Sequence, residues 1–360
     1  MNIQKKIAIV GAGTAGSAAA IRLRQLGHEV HLIERNGESS RTIGESVPGA
    51  VVRLLYTLGF NTLADVLPFD DFRANPAIAA TWGSDEWFYK DSFNNPEGGG
   101  WQIVRSVFDA NLRQKATELG AHFYTAKFDK IEKPDSYYRL ELKKDNLEVE
   151  VIEQLDGIID ASGRNASVLR KLGIEHEKFQ TQMAVFGWFK IPEEAKEISL
   201  LRSTPEGWWY CSLLPDNERV IVFHGLPKTI AQYQRNPELF INDFNSAQIL
   251  DSKVSEHHLI TELQTRDASF SIAQQSTGDN WLAVGDASLG FDPISSQGIF
   301  FALYSAVRGA EAIVSSDSLA LENYSRQINQ IAQKNHDLRM QYYTAELRYH
   351  QEPYWAQYFE

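Results

Sequence analysis

Gly11-Ala12-Gly13-Thr14-Ala15-Gly16 carries glycine at the three positions that a phosphate-cradling turn demands. Gly11 would permit the sharp exit from a strand, Gly13 would let a pyrophosphate approach bare backbone, and Gly16 would let the following helix pack closely on that strand. Thr14 and Ala15 then open a helix whose first amides face the phosphates. Glu34 closes the next strand, where a carboxylate accepts a ribose 2′-hydroxyl and repels a 2′-phosphate. A second group stands far along the chain: Gly285-Asp286-Ala287, Asp292-Pro293 and Gln297-Gly298-Ile299. Three further side chains could handle protons or hydrogen bonds. Ser296 either donates to a bound group or caps the helix after it. His224 ends an apolar strand, as a structural histidine or as a base for a ring proton. Glu45 either orders a bound group or is a loop acid.

The elements that must position these residues follow from periodicity. Lys6 to Val10 reads as a buried strand, Ala15 to Leu26 as an Ala- and Leu-rich helix, and Val30 to Ile33 as a second strand. A helix runs through Leu54-Leu55, and another is predicted from Val107 to Leu119 by Phe108, Leu112, Ala116 and Leu119. Strands are expected at His122 to Tyr124, Tyr138 to Leu140, Glu148 to Val151 and Asp156 to Asp160. Between about 180 and 265 the texture turns to alternating, aromatic-rich strands, Ala184 to Ile191, Trp208 to Leu214 and Arg219 to His224, which reads as a mixed or antiparallel sheet. Trp281 to Val284 and a helix from Gln297 to Ile313 restore the first pattern. The expectation is an α/β chain with a discontinuous Rossmann-like domain at 1–70, 101–178 and 265–330, an inserted substrate domain at 71–100 and 179–264, and a helical segment at 331–360. The aromatics that end the chain, Tyr349, Tyr354, Trp355, Tyr358 and Phe359, read as a docking or interface cluster.

Composition narrows the function. The 360 residues suit two or so domains, and 43% hydrophobic with 23% charged residues is ordinary for a globular protein. A net charge of −12 without a basic, aromatic-interleaved stretch argues against nucleic acid and anionic membrane as partners. The longest apolar runs are strand-sized, and the first strand begins too near Met1 for a signal peptide, so a cytoplasmic location is expected. The lone Cys211 lies in an apolar strand and reads as core, and the histidines lack the spacing of metal ligands.

Taken in order, several pieces resemble the flavoprotein monooxygenase superfamily with the p-hydroxybenzoate hydroxylase-like fold. They are Gly11 to Gly16, Glu34-Arg35, Gly44-Glu45-Ser46, Arg105 to Asp109, Asp160 to Arg164, Gly285-Asp286-Ala287, and Asp292-Pro293 with Gln297-Gly298. The resemblance implies FAD. Glu34 with Arg35 would lie at the adenosine ribose, Arg105 at the pyrophosphate or ribityl chain, and Asp286 at the ribityl hydroxyls. Glu45, Ser46, Asp160, Gly163, Gly285, Pro293 and Gln297 join this set. Gly298 and Ile299 would meet the isoalloxazine from a helix N-terminus, whose positive end favours the anionic reduced flavin.

Gly44-Glu45-Ser46 with Phe291 to Gly298 is similar to the tryptophan halogenase-like branch. Halogenases carry an essential lysine that Ala74 to Trp87 lacks, and a glutamate where this chain has Ser295. Their W-x-W-x-I-P signature is absent, with Gly187-Trp188-Phe189-Lys190-Ile191-Pro192 a near miss and Trp208-Trp209-Tyr210 another. The resemblance then points to the LodB/GoxB-type flavoproteins of tryptophylquinone cofactor biogenesis. It implies hydroxylation of a tryptophan side chain in a precursor protein, by way of a flavin C4a-hydroperoxide, with dioxygen and with electrons from NAD(P)H or another external reductant. A second G-x-G-x-x-G, and with it a nicotinamide domain, is absent. Trp82, Trp208 and Tyr210 are the candidates for the substrate wall, although Trp208 and its neighbour Trp209 must face opposite sides of a strand. The alternatives are a hydroxylase of a small phenol or indole, a halogenase or isoprenoid reductase relative, and a chaperone that keeps FAD without catalysis.

Overall fold

The strand Lys6–Val10 is buried from Ile7 onward, so it needs a partner on each side. It pairs in parallel with Glu29–Glu34 and with Gly157–Asp160. His122–Thr125 and Trp281–Ala283 extend the sheet in parallel, and Thr277–Gly278 closes one edge antiparallel. One sheet thus gathers strands from three distant stretches of the chain. The computed structural model describes residues 3–37, 41–92, 95–146, 148–191 and 197–359.

Alternate side chains of these strands enter two cores. Ile7, Ile9, Leu32, Ile159 and Leu282 pack under the helices Thr14–Gln25, Arg105–Glu118 and Gly298–Val314. Ala8, Val10, Ile33 and Ile158 face a three-stranded antiparallel sheet of Lys127–Glu132, Tyr138–Lys143 and Val149–Leu155. Gly16 is what lets the first helix lie so close, since a Cβ there would sit 1.8 Å from the Gly11 carbonyl oxygen.

The second sheet has seven strands, in the order Gln264–Asp267, Met183–Lys190, Glu218–Gly225, Gly207–Leu213, Ser199–Thr204, Ala77–Thr81 and Phe88–Asp91. All neighbours run antiparallel except Ser199–Thr204 with Ala77–Thr81, so the sheet is mixed. Strand alternation splits the tryptophan pair. Trp209 joins Cys211 and Phe223 under the helices Pro227–Arg235 and Pro237–Ser246, while Trp208 faces the other way. Burial raises the pKa of the Cys211 thiol, in keeping with a core residue. A small sheet of Ser46–Val47, Gly100–Ile103 and Phe72–Asn75 lies between the two large ones in the chain's path.

Two expectations need correction. The helix expected from Val107 begins at Arg105, which puts that guanidinium on the first helical turn. The terminal aromatics do not form an open docking surface: Tyr354, Trp355 and Tyr358, beyond the helix Ala320–Thr344, are buried in one cluster with Trp208 and with Tyr343 of that helix. Only Phe359 of the cluster is exposed. Of the near-miss signature, Gly187 to Ile191 form a buried strand and its end, whereas Pro192 lies outside the described residues.

Gly16→Ala is expected to lower the melting temperature sharply, at a cost of about 3 kcal/mol, because the added carbon meets backbone on a packed helix. Differential scanning fluorimetry checks this.

Candidate active site

Between the parallel sheet and the seven-stranded sheet runs a cleft of about 1580 Å³. Small-molecule sites commonly measure roughly 300–1,000 Å³, so this one has room for a dinucleotide and a second occupant. Gly11, Gly13, Thr14, Ala15, Glu34 and Arg35 line one end. Glu45, Ser46, Arg105, Gly163, Gly285 and Asp286 come next, then Pro293, Ser296, Gln297, Gly298 and Ile299. Trp208, Tyr210 and His224 come from the seven-stranded sheet, and Trp82 from just past its strand Ala77–Thr81.

Two helices present bare N-termini here. No side chain caps Thr14–Gln25 at Gly13 or Gly298–Val314 at Gln297, leaving orphan amides and positive helix ends for an anionic guest. Cβ atoms built at Gly13 and Gly298 would meet nothing within 4 Å. The Glu34 carboxylate is aimed by the amides of Ala12 and Arg35, each donating at 2.8 Å.

A polar chain ties the phosphate turn to the Gly44 loop. The Thr14 hydroxyl donates to Asp109, whose other oxygen accepts from Arg105 Nε at 3.0 Å, and Arg105 also donates to the Gly44 carbonyl at 3.1 Å. Sequence reasoning gives Asp109 no role, although its place one helical turn after Arg105 is the signal for such a pair. Arg164, likewise passed over, donates to the Phe291 carbonyl at 2.6 Å and lies 3.6 Å from Asp286. Glu45 is buried, and desolvation raises its pKa despite the Gly44 amide and the Tyr210 phenol beside it.

The segment after Asp292 is held from behind. Asp292 is fully buried; it accepts from the Ile294 amide at 3.0 Å and the Tyr343 hydroxyl at 3.1 Å, and lies 3.8 Å from Arg339 of the C-terminal helix. Burial raises its pKa, and Arg339 works against that rise. Ser296 then takes a left-handed conformation at φ 50°. The neighbouring Ser295 hydroxyl accepts from the Gln297 amide at 3.3 Å, so the turn-closing contact belongs to Ser295.

Three assignments change. Asp160 does not reach the cleft; its carboxylate accepts from the amides of Ser162, Val168 and Leu169 and from the Ser162 hydroxyl. Its work is to order the turn that carries Gly163. Gly16 stands behind the cradle, where it spaces helix from strand. His224 stacks on Trp208 with ring centroids 3.8 Å apart, and burial pushes its pKa down to about 3, which makes it a weak base at neutral pH. Trp208 is engaged on that face, and its indole N–H donates to the Tyr354 and Tyr343 hydroxyls at 3.0 and 3.2 Å. Trp208 still lines the cleft, with its indole N–H and one ring face already engaged. Lys90, on the edge strand, also lines the cleft; it stands just past the lysine-free stretch Ala74 to Trp87, and only the fold brings it to the site.

Residues 5–50 match the family model described as pyridine nucleotide-disulphide oxidoreductase, which covers only the first strand-helix-strand unit and the Gly44 loop after it. LodB of Marinomonas mediterranea, named as an FAD-dependent oxidoreductase, is 28% identical, with 96% of this chain and 95% of that protein covered. A 1H-pyrrole-2-carbonyl-[peptidyl-carrier protein] brominase of Pseudoalteromonas luteoviolacea is 29% identical over 85% of this chain and 76% of its own length. Among solved structures, the peptidyl tryptophan dihydroxylase QhpG superimposes with a TM-score of 0.79 at 21% identity, over 99% of this chain and 79% of that one. The chain is a flavin-dependent enzyme similar to these proteins.

FAD is its cofactor. In this flavoprotein the bare amides after Gly13 fit the pyrophosphate, those from Gly298 onward fit the electron-rich edge of the isoalloxazine, and Glu34 fits the ribose. When bound, the flavin supplies the redox chemistry, and the protein's part is to orient, to exclude water and to place protons.

Two outcomes are expected. Arg339→Met should destabilise the flavoprotein by about 3–5 kcal/mol, because Asp292 keeps its buried charge without a partner; urea unfolding measures it. His224 stays neutral when folded and takes up a proton near pH 6.5 when unfolded, so it costs stability as pH falls from 6.5 toward 3. The stability difference between wild type and His224→Phe should therefore move in the variant's favour below pH 6.5, by up to roughly 1.4 kcal/mol per pH unit.

Proposed function

We propose that this flavoprotein is a monooxygenase that hydroxylates an aromatic ring, namely a tryptophan side chain of a precursor protein on the way to a tryptophylquinone. The observation that carries this reading is that one cleft joins the dinucleotide cradle to the aromatic face of the seven-stranded sheet, with space left for a second occupant. One atom of dioxygen enters the ring and the other leaves as water, the two electrons coming from NAD(P)H or another external reductant. Residues 1–70, 101–178 and 265–330 would carry FAD, and 71–100 with 179–264 the substrate. The near-complete span shared with LodB supports flavin-dependent oxidation, and the fold shared with a peptidyl tryptophan dihydroxylase supports a polypeptide substrate over a small phenol or indole. No helix among the described residues is long and apolar enough to cross a membrane. The cytoplasm, with its supply of reductant, is the proposed place of work.

Within this reading, Tyr210 and Glu45 sit on the cleft floor as a phenol beside a carboxyl whose pKa is raised by burial. A carboxyl whose pKa is raised takes up a proton more readily, and when protonated it can donate a hydrogen bond near the reacting ring. Trp82, packed edge-on to Trp208, Tyr343 and Trp355, keeps that wall stiff.

Halogenation is the second reading, and Lys90 is the observation that favours it, since an amine does line the cleft. The brominase relative supports it as well. Both readings are separated by one experiment: holoenzyme, reductant, labelled dioxygen, bromide and a tryptophan-bearing precursor, followed by mass measurement of the precursor. Labelled oxygen on tryptophan is the expected product. Bromine on any substrate, lost in Lys90→Ala, would replace the first reading with the second.

A further inference from the structure

The seven-stranded sheet ends at Phe88–Asp91, whose partner strand Ala77–Thr81 lies on one side only. This edge borders the cleft, because Phe88 and Lys90 line it. Phe88 and Tyr89 are 70% and 59% exposed, unusual for a strand of a core sheet. From the C-terminal helix, Leu338 and Tyr342 also line the cleft and are 42% and 41% exposed, and the Trp82 indole donates to the Tyr342 carbonyl at 2.7 Å. The mouth of the cleft is therefore apolar on the strand side and on the helix side.

Register fixes which backbone groups of this edge are open. Ser92 donates its amide to the Pro76 carbonyl at 3.0 Å, and Phe88 pairs with Ala80, Tyr89 with Ala79 and Lys90 with Ile78. Hydrogen-bonded pairs alternate along an antiparallel ladder, so Ser92, Lys90 and Phe88 bond inward and the Tyr89 N–H and C=O point outward. An extended segment laid there would continue the sheet and place every second side chain over the cleft face, on the side of Phe88 and Lys90.

Charge selects among extended segments. Lys90 lines the cleft from this edge strand and has no carboxylate partner among the described residues, whereas Arg266 lines it from the opposite edge of the sheet. The acids lining the same cleft are engaged: Asp267 by Lys178 at 2.6 Å, Asp286 by Arg164, Asp292 by Arg339, and Glu34 and Glu45 by backbone amides. In a chain of net charge −12 an amine without a carboxylate partner at this mouth stands out.

We propose that the outer edge of Phe88–Asp91 is the docking strand for the substrate polypeptide, which adds to it as an extended, acidic segment bearing the tryptophan. The proposal rests on the reading that the substrate is a polypeptide, and it specifies how that polypeptide is held: main-chain hydrogen bonds to Tyr89, with Lys90 facing its carboxylates. Affinity then comes from backbone that any sequence offers, and selectivity from charge and from the ring that the cleft admits.

The test uses the FAD-loaded full chain and a fluorescein-labelled synthetic decapeptide with one central tryptophan flanked by aspartates, read by fluorescence anisotropy. Tyr89→Pro deletes the outward N–H together with the ring, on an edge strand where proline is tolerated, and it should raise Kd about ten-fold with FAD content unchanged, whereas Tyr89→Ala, which keeps the N–H, should bind as the wild type does. Lys90→Glu should raise Kd by a similar factor and remove the wild type's preference for the aspartate-flanked peptide over a lysine-flanked one. Methylating the peptide's backbone nitrogens should weaken binding to the wild type, a reading that needs no protein variant. Unchanged Kd in Tyr89→Pro and Lys90→Glu, indifference to N-methylation, or no peptide bound by the wild type overturns the proposal. A peptide that docks at Tyr89 and never gains oxygen removes the hydroxylase reading and leaves the docking strand, whereas oxygen inserted equally by wild type and these two variants removes the docking strand alone.

Discussion

A buried carboxylate without a countercharge is among the most costly groups a protein can hold, and Asp292 avoids that state through Arg339, 3.8 Å away and itself 1% exposed. The pair joins the turn before Gly298 to a helix that belongs to the last part of the chain. Tyr343 donates to the same carboxylate and also to Gln182, which reaches Tyr354 and Trp208. The turn, the C-terminal helix and the sheet wall thus share one hydrogen-bonded knot. Ser296 holds its left-handed conformation at the edge of that knot, where the surrounding contacts can impose a backbone that a serine alone would avoid.

A second tie acts at the opposite end of the cleft. Thr14, Asp109, Arg105 and the Gly44 carbonyl form a line from the phosphate turn to the loop that carries Glu45. The two ties use the same device, a carboxylate shared between a cation and a hydroxyl, and they fix the two regions that differ most in sequence position. Between them the helix ends Thr14 and Gly298 stay uncapped. Their amides would otherwise be satisfied by side chains, so their openness is meaningful only because the loops around them are tied.

What the sequence disclosed was local. Glycine spacing, a strand ending in Glu34 and the return of a buried strand at Trp281 are short-range patterns, and each occupies the expected kind of element. The alternation rule also said that Trp208 and Trp209 must part, without saying which faces the cleft; helices packed on Trp209 decide it. Hidden were the residues whose meaning depends on a distant partner. Arg339 reads as one charge among many on a helix, and Asp109 as an ordinary helical acid. Asp160 misled for the opposite reason: a carboxylate beside a glycine turn can serve a ligand or the turn itself, and only the amides of Val168 and Leu169 tell which. The terminal tyrosines look like surface aromatics until Gln182 and Trp208 are brought beneath them.

The discontinuous parallel sheet has a consequence for how the molecule is made. Trp281–Ala283 pairs with Gly157–Asp160, and Gly298–Val314 packs on Thr14–Gln25, so Lys6–Val10 waits for Gly157–Asp160 to complete its pairing, and the first helix waits for nearly the whole chain. Such pairings close long loops and form slowly. During translation at about 5–20 residues per second, the Gly11 to Gly16 turn leaves the ribosome well before the residues that complete its cleft. Nascent chains therefore expose the apolar strand Ile7–Val10 for many seconds, and the window for chaperone binding or aggregation is written into the order of the strands.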